Sequence, residues 1–323
     1  MVERLVGRAC RDPPSPGFDK LNQRVVSTTR DGNRGRRGQT EVMQYLSRKP
    51  APPLDRFIDD LYCLSGEPGH RRRLSVPPMP SAHLMINLGG PVRLRDSDPA
   101  APAAVLTDGW FMGVWTRRFV VEYPDAVRVA GVHFKPWGLA PFVRLPMSEL
   151  RDRWVPADAV WERGLGALRV RLAEAESTEA MLWLLEEELR SRLDRESSDG
   201  LALVGRSAGR LEASWGSVPV AALADRAGVS GNRLTTQFTS HVGIAPKRLA
   251  RIYRFARVIL AADATRPVAW AELAQAAGYF DQPHLINEFK SFTGHTPTAY
   301  LALRRRFPAE RDFPPDLGPM PAT

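Results

Sequence analysis

Cysteine is nearly absent from this sequence. Cys10 and Cys63 are its 2 cysteines, far apart and outside any C-x-x-C pair. That spacing speaks against a disulfide framework and against a cysteine-based zinc site. No apolar run approaches the ~18 residues that would span a bilayer. The N-terminus carries scattered arginines and no apolar core, so no secretory signal is expected. No G-x-S-x-G, H-E-x-x-H or phosphate-binding glycine loop occurs, so the common catalytic signatures are missing. These absences lead us to expect a cytoplasmic, membrane-free protein with no cofactor, no metal and no enzymatic role.

What the chain has in excess is positive charge. Its 323 residues carry 45 Lys+Arg against 36 Asp+Glu, a net of +9. The placement matters more than the total. Residues 200–306 hold 14 basic and 6 acidic side chains, residues 1–199 hold 30 and 27, and residues 307–323 hold 1 and 3. A surplus concentrated on one segment suggests a polyanionic partner for that segment. An arginine-rich proteome would give a similar total, so charge alone does not decide the matter.

The basic segment also contains one pattern written twice. The first copy is Val218–Pro246 and the second is Val268–Pro297. Val218, Ala221, Leu223, Ala224, Ala227 and Gly228 match Val268, Ala271, Leu273, Ala274, Ala277 and Gly278 at an offset of 50. Leu234, Phe238, Gly243 and Pro246 match Leu285, Phe289, Gly294 and Pro297 at an offset of 51. The second copy therefore carries an extra residue just after its central glycine, where a turn absorbs it. Each copy reads as helix, turn, helix.

A helix-turn-helix needs a small residue where its helices cross, and Ala224 and Ala274 suit that place. Its turn needs a residue that tolerates positive φ, which Gly228 and Gly278 supply. The recognition helix must be anchored from behind, and the i, i+4 pairs Leu234 with Phe238 and Leu285 with Phe289 do this. The remaining positions are polar: Asn232, Arg233, Thr236 and Gln237 in one copy, and Gln282, His284, Asn287, Glu288 and Ser291 in the other. Asn, Gln and Arg read adenine and guanine edges bidentately, while nearby Lys and Arg sit on phosphates. The candidate DNA-contacting set is Ser230, Asn232, Arg233, Thr236, Gln237, Lys247, Arg248, Asp281, Gln282, His284, Asn287 and Lys290. The copies should differ in their turns, Val229-Ser230 being tighter than Tyr279-Phe280-Asp281, and agree in their anchoring.

Residues 200–303 resemble the paired helix-turn-helix domain of the AraC/XylS family of bacterial transcription regulators. The first-copy carriers are Leu223-Ala-Asp-Arg-Ala-Gly228-Val-Ser230, Leu234-x-x-x-Phe238 and Gly243-x-x-Pro246. More specific is Ala274-x-x-x-Gly278-Tyr-x-Asp281-Gln282-x-His284-Leu, continuing to Phe289, Gly294, Pro297 and Tyr300. The resemblance implies that a long helix, 246–262, joins two subdomains whose recognition helices enter successive major grooves. Pro283 and Gly231 are small departures. Less specifically, residues 43–195 resemble the N-terminal domain of some members, through Asn87-Leu88-Gly89, Gly131-Val-His-Phe134-Lys-Pro136-Trp-Gly138 and Pro146-x-x-Glu149-Leu-x-Asp152. Such domains are commonly small barrels that bind an effector or dimerise.

The expected fold is α+β: a small N-terminal β-barrel or sheet with helices, then an all-α domain with two helix-turn-helix subdomains. Residues 1–42 read as a basic unstructured tail, 43–195 as the effector or dimerisation domain, 200–305 as the DNA-binding domain, and 306–323 as a second unstructured tail. Met43 is a candidate alternative start. Residues 43–66 read as an amphipathic helix, from the spacing of Leu54, Phe57, Ile58, Leu61 and Tyr62. Short aromatic and β-branched runs from His83 to Phe134 read as strands. Short helices are expected over 138–145 and from Ser148. Two longer ones carry Leu165–Leu172 and Met181–Leu189, with Ser177 as a start signal.

His83 and His133 lie on expected strands as candidate metal ligands or, more simply, interior histidines. Trp110, Trp115, Trp137, Trp154 and Trp161 either line a ligand pocket or pack the core. Glu186–Glu188 reads as a solvated face, with a dimer or RNA polymerase contact as the alternative. The function read from the sequence is sequence-specific DNA binding by an effector-responsive regulator, with duplex DNA, a small-molecule effector, RNA polymerase and a second copy as candidate partners. Two rivals remain: a DNA-alkylation-repair enzyme built on a reactive cysteine, and an interaction-only protein that keeps a relic of the fold.

Overall fold

The computed structural model describes residues 22–28, 41–68, 73–97, 102–161, 164–194, 198–262, 266–306 and 320–321. Its N-terminal half is built on strands. The first are β1 (Asn22–Thr28), β2 (Glu41–Arg48), β3 (Ile58–Gly66) and β4 (Arg73–Val76). Next come β5 (Ala82–Asn87), β6 (Val92–Asp96), β7 (Ala104–Leu106) and β8 (Gly109–Met112). Then follow β9 (Phe119–Glu122), β10 (Val127–Phe134) and β11 (Trp154–Pro156), with β12 (Met320–Pro321) returning from the C-terminal end. They form a seven-stranded sheet, β1-β2-β3-β10-β5-β8-β11, and a five-stranded sheet, β12-β4-β9-β6-β7. The sheets face each other without closing into a barrel.

Strand alternation assigns the two faces of the larger sheet. On β3, Tyr62 and Leu64 point between the sheets, where they meet Met85, Trp110, Val129, Val92, Leu94 and Val121. Leu61 and Cys63 point the other way, with Leu84, Phe111, Val132 and Phe134, into the core shared with the helices. With both faces covered, β3 shows no polar–apolar alternation. That is why 43–66 reads as a helix in the sequence, and that expectation is wrong. The segment is β2, a 3₁₀ turn at Leu54–Arg56, and β3. The expected unstructured tail at 1–42 is also interrupted, since β1 pairs along the whole of β2's partner register from Asn22↔Ser47 to Thr28↔Glu41. The rest of that tail up to residue 40, and residues 307–319 and 322–323, lie outside the described residues.

The Gly131-to-Gly138 motif has a packing reason. Gly131 pairs with Tyr62, whose ring lies where a Cβ would stand, 2.1 Å from the phenol Cζ. Tyr62 in turn stacks on His133 at 4.3 Å, and His133 Nδ1 bonds the Asp60 carboxylate at 2.7 Å. Gly131→Ala should therefore cost about 1–3 kcal/mol through overpacking, read as a lowered urea midpoint at unchanged m-value.

Two 3₁₀ turns, Ala140–Phe142 and Met147–Leu150, stand where short helices were expected over 138–145 and from Ser148. They are followed by β11, α1 (Ala157–Val160), α2 (Leu165–Ala173) and α3 (Thr178–Arg192). Ser177 caps α3, its side chain accepting from Ala180 N. Glu186 is not on a solvated face, as the sequence suggested. It is buried, 2.5 Å from Arg48 Nη1, and accepts from Arg190 at 2.8 Å. Only β2, misread as helix, brings Arg48 to it.

The C-terminal half is helical: α4 (Asp199–Ala213), α5 (Val220–Ala227), α6 (Gly231–His241), α7 (Pro246–Ala261), α8 (Trp270–Ala276), α9 (Gln282–Thr293) and α10 (Pro297–Arg306). One hydrophobic core runs from the outer face of the larger sheet into these helices. Trp137 lies beside Gly205 of α4, and the backbone of Met147 lies against Gly243.

Candidate nucleic-acid interface

Both copies of the repeat form the expected unit, α5-turn-α6 and α8-turn-α9. Gly228 (φ 63°) and Gly278 (φ 79°) occupy the left-handed region at the turns. The next residue donates back in the same way in both copies: Val229 N to Ala224 O at 3.1 Å, and Tyr279 N to Ala274 O at 2.9 Å. Ala224 and Ala274 are buried at the crossings, and Leu234, Phe238, Leu285 and Phe289 are buried behind the second helices. Anchoring is thus equal. The turns differ as the spacing implies. Tyr279 tucks inward where Val229 does, and the extra residue, Phe280, stands 93% exposed.

The starts of the second helices are capped by side chains. Ser230 Oγ accepts from Arg233 N at 3.2 Å, and Asp281 Oδ1 accepts from His284 N at 2.7 Å. Each cap satisfies an amide the helix leaves unpaired, worth roughly 1 kcal/mol. Free amides and the positive helix end remain directed outward there. Beyond the caps, Asn232, Arg233 and Thr236 on α6 and Gln282, His284, Asn287 and Lys290 on α9 are exposed, as is Lys247 at the start of α7.

Three residues differ from the sequence reading. Glu288 is buried at 4% rather than exposed on the reading face. Its carboxylate accepts from Arg251 Nε at 2.5 Å and from Tyr279 OH at 3.0 Å, tying α9 to α7 and to the turn. Burial, then the Glu288 charge, pushes the Tyr279 phenol well up, so it stays a donor. Glu288→Gln should cost about 1–2 kcal/mol of stability by weakening this charged network, read by thermal melting. Gln237 is half-buried, with its Oε1 against Gly200. Arg248 is half-buried too, and its Nη2 donates to Thr116 O at 2.7 Å rather than facing solvent. The Gly200 and Thr116 contacts, and Arg251 of α7, lie outside both copies of the repeat; only the Tyr279 bond to Glu288 falls within one.

Family comparison agrees with this geometry. Residues 223–303 match the model described as "Helix-turn-helix domain". They are an AraC-type helix-turn-helix domain. A domain of this type is a DNA-binding module. Residues 47–156 match a "Domain of unknown function". A search of curated proteins finds no match. Among solved structures, ToxT from Vibrio cholerae is similar, with 11% identity over 75% of this chain and 96% of that one, TM-score 0.43. ToxT with a bound unsaturated fatty acid gives 12% identity over 79% and 96%, TM-score 0.41.

In the N-terminal half, the five tryptophans singled out in the sequence divide between two cores. Trp110, Trp115 and Trp154 belong to the inter-sheet core, Trp137 and Trp161 to the core on the opposite face. His133 is an interior histidine bonded to Asp60. Among the described residues no group of three His, Cys, Asp or Glu is placed to hold a metal, and no helix is long and apolar enough to cross a membrane.

Proposed function

We propose that this chain regulates transcription by reading duplex DNA with α6 and α9, under the control of a small molecule acting on the N-terminal sheets. Arg233, Asn232 and Thr236 read bases from the first copy; Gln282, His284 and Asn287 read them from the second. Lys247 and Lys290 hold phosphates, and the caps Ser230 and Asp281 fix the helix ends that approach the backbone. The observation that carries this reading is the pair of equally anchored, capped second helices whose exposed faces are polar and basic. Residues 43–195 serve as the effector or dimerisation domain and 200–305 as the DNA-binding domain. RNA polymerase and a second copy are the protein partners this role would call on, and the cytoplasm its location.

The enzyme alternative depends on a reactive thiol. Cys63 is buried in β3 and burial pushes its thiol up, the opposite of an activated nucleophile. Cys10 lies outside the described residues.

The test is fluorescence anisotropy with duplexes from the region upstream of the coding sequence. True phosphate contacts give affinity that falls linearly on a log–log plot with salt, with a slope of about −0.9 per contact. Binding that is absent or indifferent to salt would favour the interaction-only alternative.

A further inference from the structure

The connection between β8 and β9, Gly113–Arg118, touches three parts of the molecule at once. Trp115 is buried between the sheets, stacked on Trp154 at 5.3 Å and beside Phe119 at 4.8 Å. Its indole Nε1 has no partner among the described residues. Thr116, the next residue, is held from the other side. Its N and Oγ1 donate to the Asp152 carboxylate at 2.6 and 2.9 Å. Its carbonyl accepts from Arg248 Nη2 on α7. Arg118 then lies against Gly294 at the end of α9, its Nε 3.2 Å from where a Cβ would stand.

Asp152 makes its two bonds from φ 53°, a left-handed conformation that costs a non-glycine residue of order 1 kcal/mol or more. Strain of this kind persists only where surrounding contacts fix it. The beneficiary is Arg248. It follows the exposed Lys247 in the first turn of α7, yet its guanidinium turns inward, 5.3 Å over the Phe292 ring of α9, to reach Thr116. Burial and the neighbouring Arg251 lower its pKa, so the site holds this cation at a cost.

We propose that Gly113–Arg118 is a latch that withholds Arg248 from DNA while the inter-sheet core keeps Trp115 in place. Asp152 positions Thr116, and Thr116 holds Arg248. Displacing Trp115 moves the adjacent Thr116, breaks the bond to Arg248, and frees one more cation for a phosphate. The latch rests on the regulator reading above and names the path by which the N-terminal sheets govern DNA affinity.

The test uses the full chain, without effector, and one bound duplex titrated over ~50–200 mM salt. Asp152→Ala removes both bonds to Thr116. Asp152→Asn, which suits the left-handed backbone, removes the charge and one acceptor and keeps the variant folded should the alanine fail. Both should bind more tightly than wild type and steepen the log K against log salt slope by about 0.9, one added phosphate contact. Adding Arg248→Ala to either should return the slope to the wild-type value, which loosened packing alone would not do. Folded variants that keep the wild-type slope overturn the latch and leave the regulator reading standing. A wild-type chain that binds no duplex overturns both.

Discussion

Phe255→Ala should lower the unfolding free energy by about 3–5 kcal/mol. Phe255 is fully buried on α7, with the rings of Phe289 and Phe292 at 5.3 and 4.9 Å. Phe289 continues the cluster to Tyr300 on α10 at 5.3 Å. Removing the central ring leaves a cavity directly behind α9, bounded by three elements that cannot all collapse into it. Urea denaturation reads the loss. The same variant, below its unfolding midpoint, should bind DNA more weakly, because Asn287 and Lys290 are aimed by the helix that Phe255 supports. Loss of stability without any change in DNA affinity would show that α9 does not need this support to meet DNA.

Arg233→Ala and Asn287→Ala should each cost about 1–3 kcal/mol of affinity for a specific site. Both side chains are exposed on anchored helices, so truncation removes base contacts without touching the core. The residues belong to different copies, so the double variant should lose roughly the sum. Non-specific duplex should be bound almost as before. Lys247→Ala should behave differently, weakening specific and non-specific duplexes alike and flattening the salt slope by about 0.9. Titrations of matched and scrambled duplexes separate the two patterns.

The DNA-binding half was largely legible in the sequence because its rules are local. A glycine at the turn, an alanine at the crossing, a cap and an i, i+4 anchor act within a few residues of each other, and the repeat states each of them twice. Ser230, Asp281, Leu234 and Phe289 all stand where those rules put them. Glu288 escaped because a carboxylate at a helix position looks solvent-facing until Arg251 and Tyr279 close over it. Arg248 escaped for a longer-range reason. A basic residue at the start of a DNA-binding domain's helix reads as a phosphate contact, and nothing near it in sequence announces Thr116, 132 residues away.

The N-terminal half was legible in kind and not in detail. Short aromatic and β-branched runs marked strands, but a strand covered on both faces carries no period of two, and Leu54–Tyr62 fits a helix equally well. Pairing partners decide such a case. β3 becomes a strand because β2 and β10 flank it, and the register Gly131↔Tyr62 needs the glycine that the motif provides. The tryptophans gave no hint of how they divide between two cores, since that depends on which face of the larger sheet each one meets.

The central claim is that two helices in one chain read one stretch of DNA. Selection of bound sequences from a random duplex library tests it most directly, using wild type, Arg233→Ala and Asn287→Ala. The expected result is a bipartite motif with half-sites about 10–10.5 bp apart, as successive major grooves require, of which each variant erases a different half. A single half-site weakened by both variants together, or no enriched sequence at all, would contradict it.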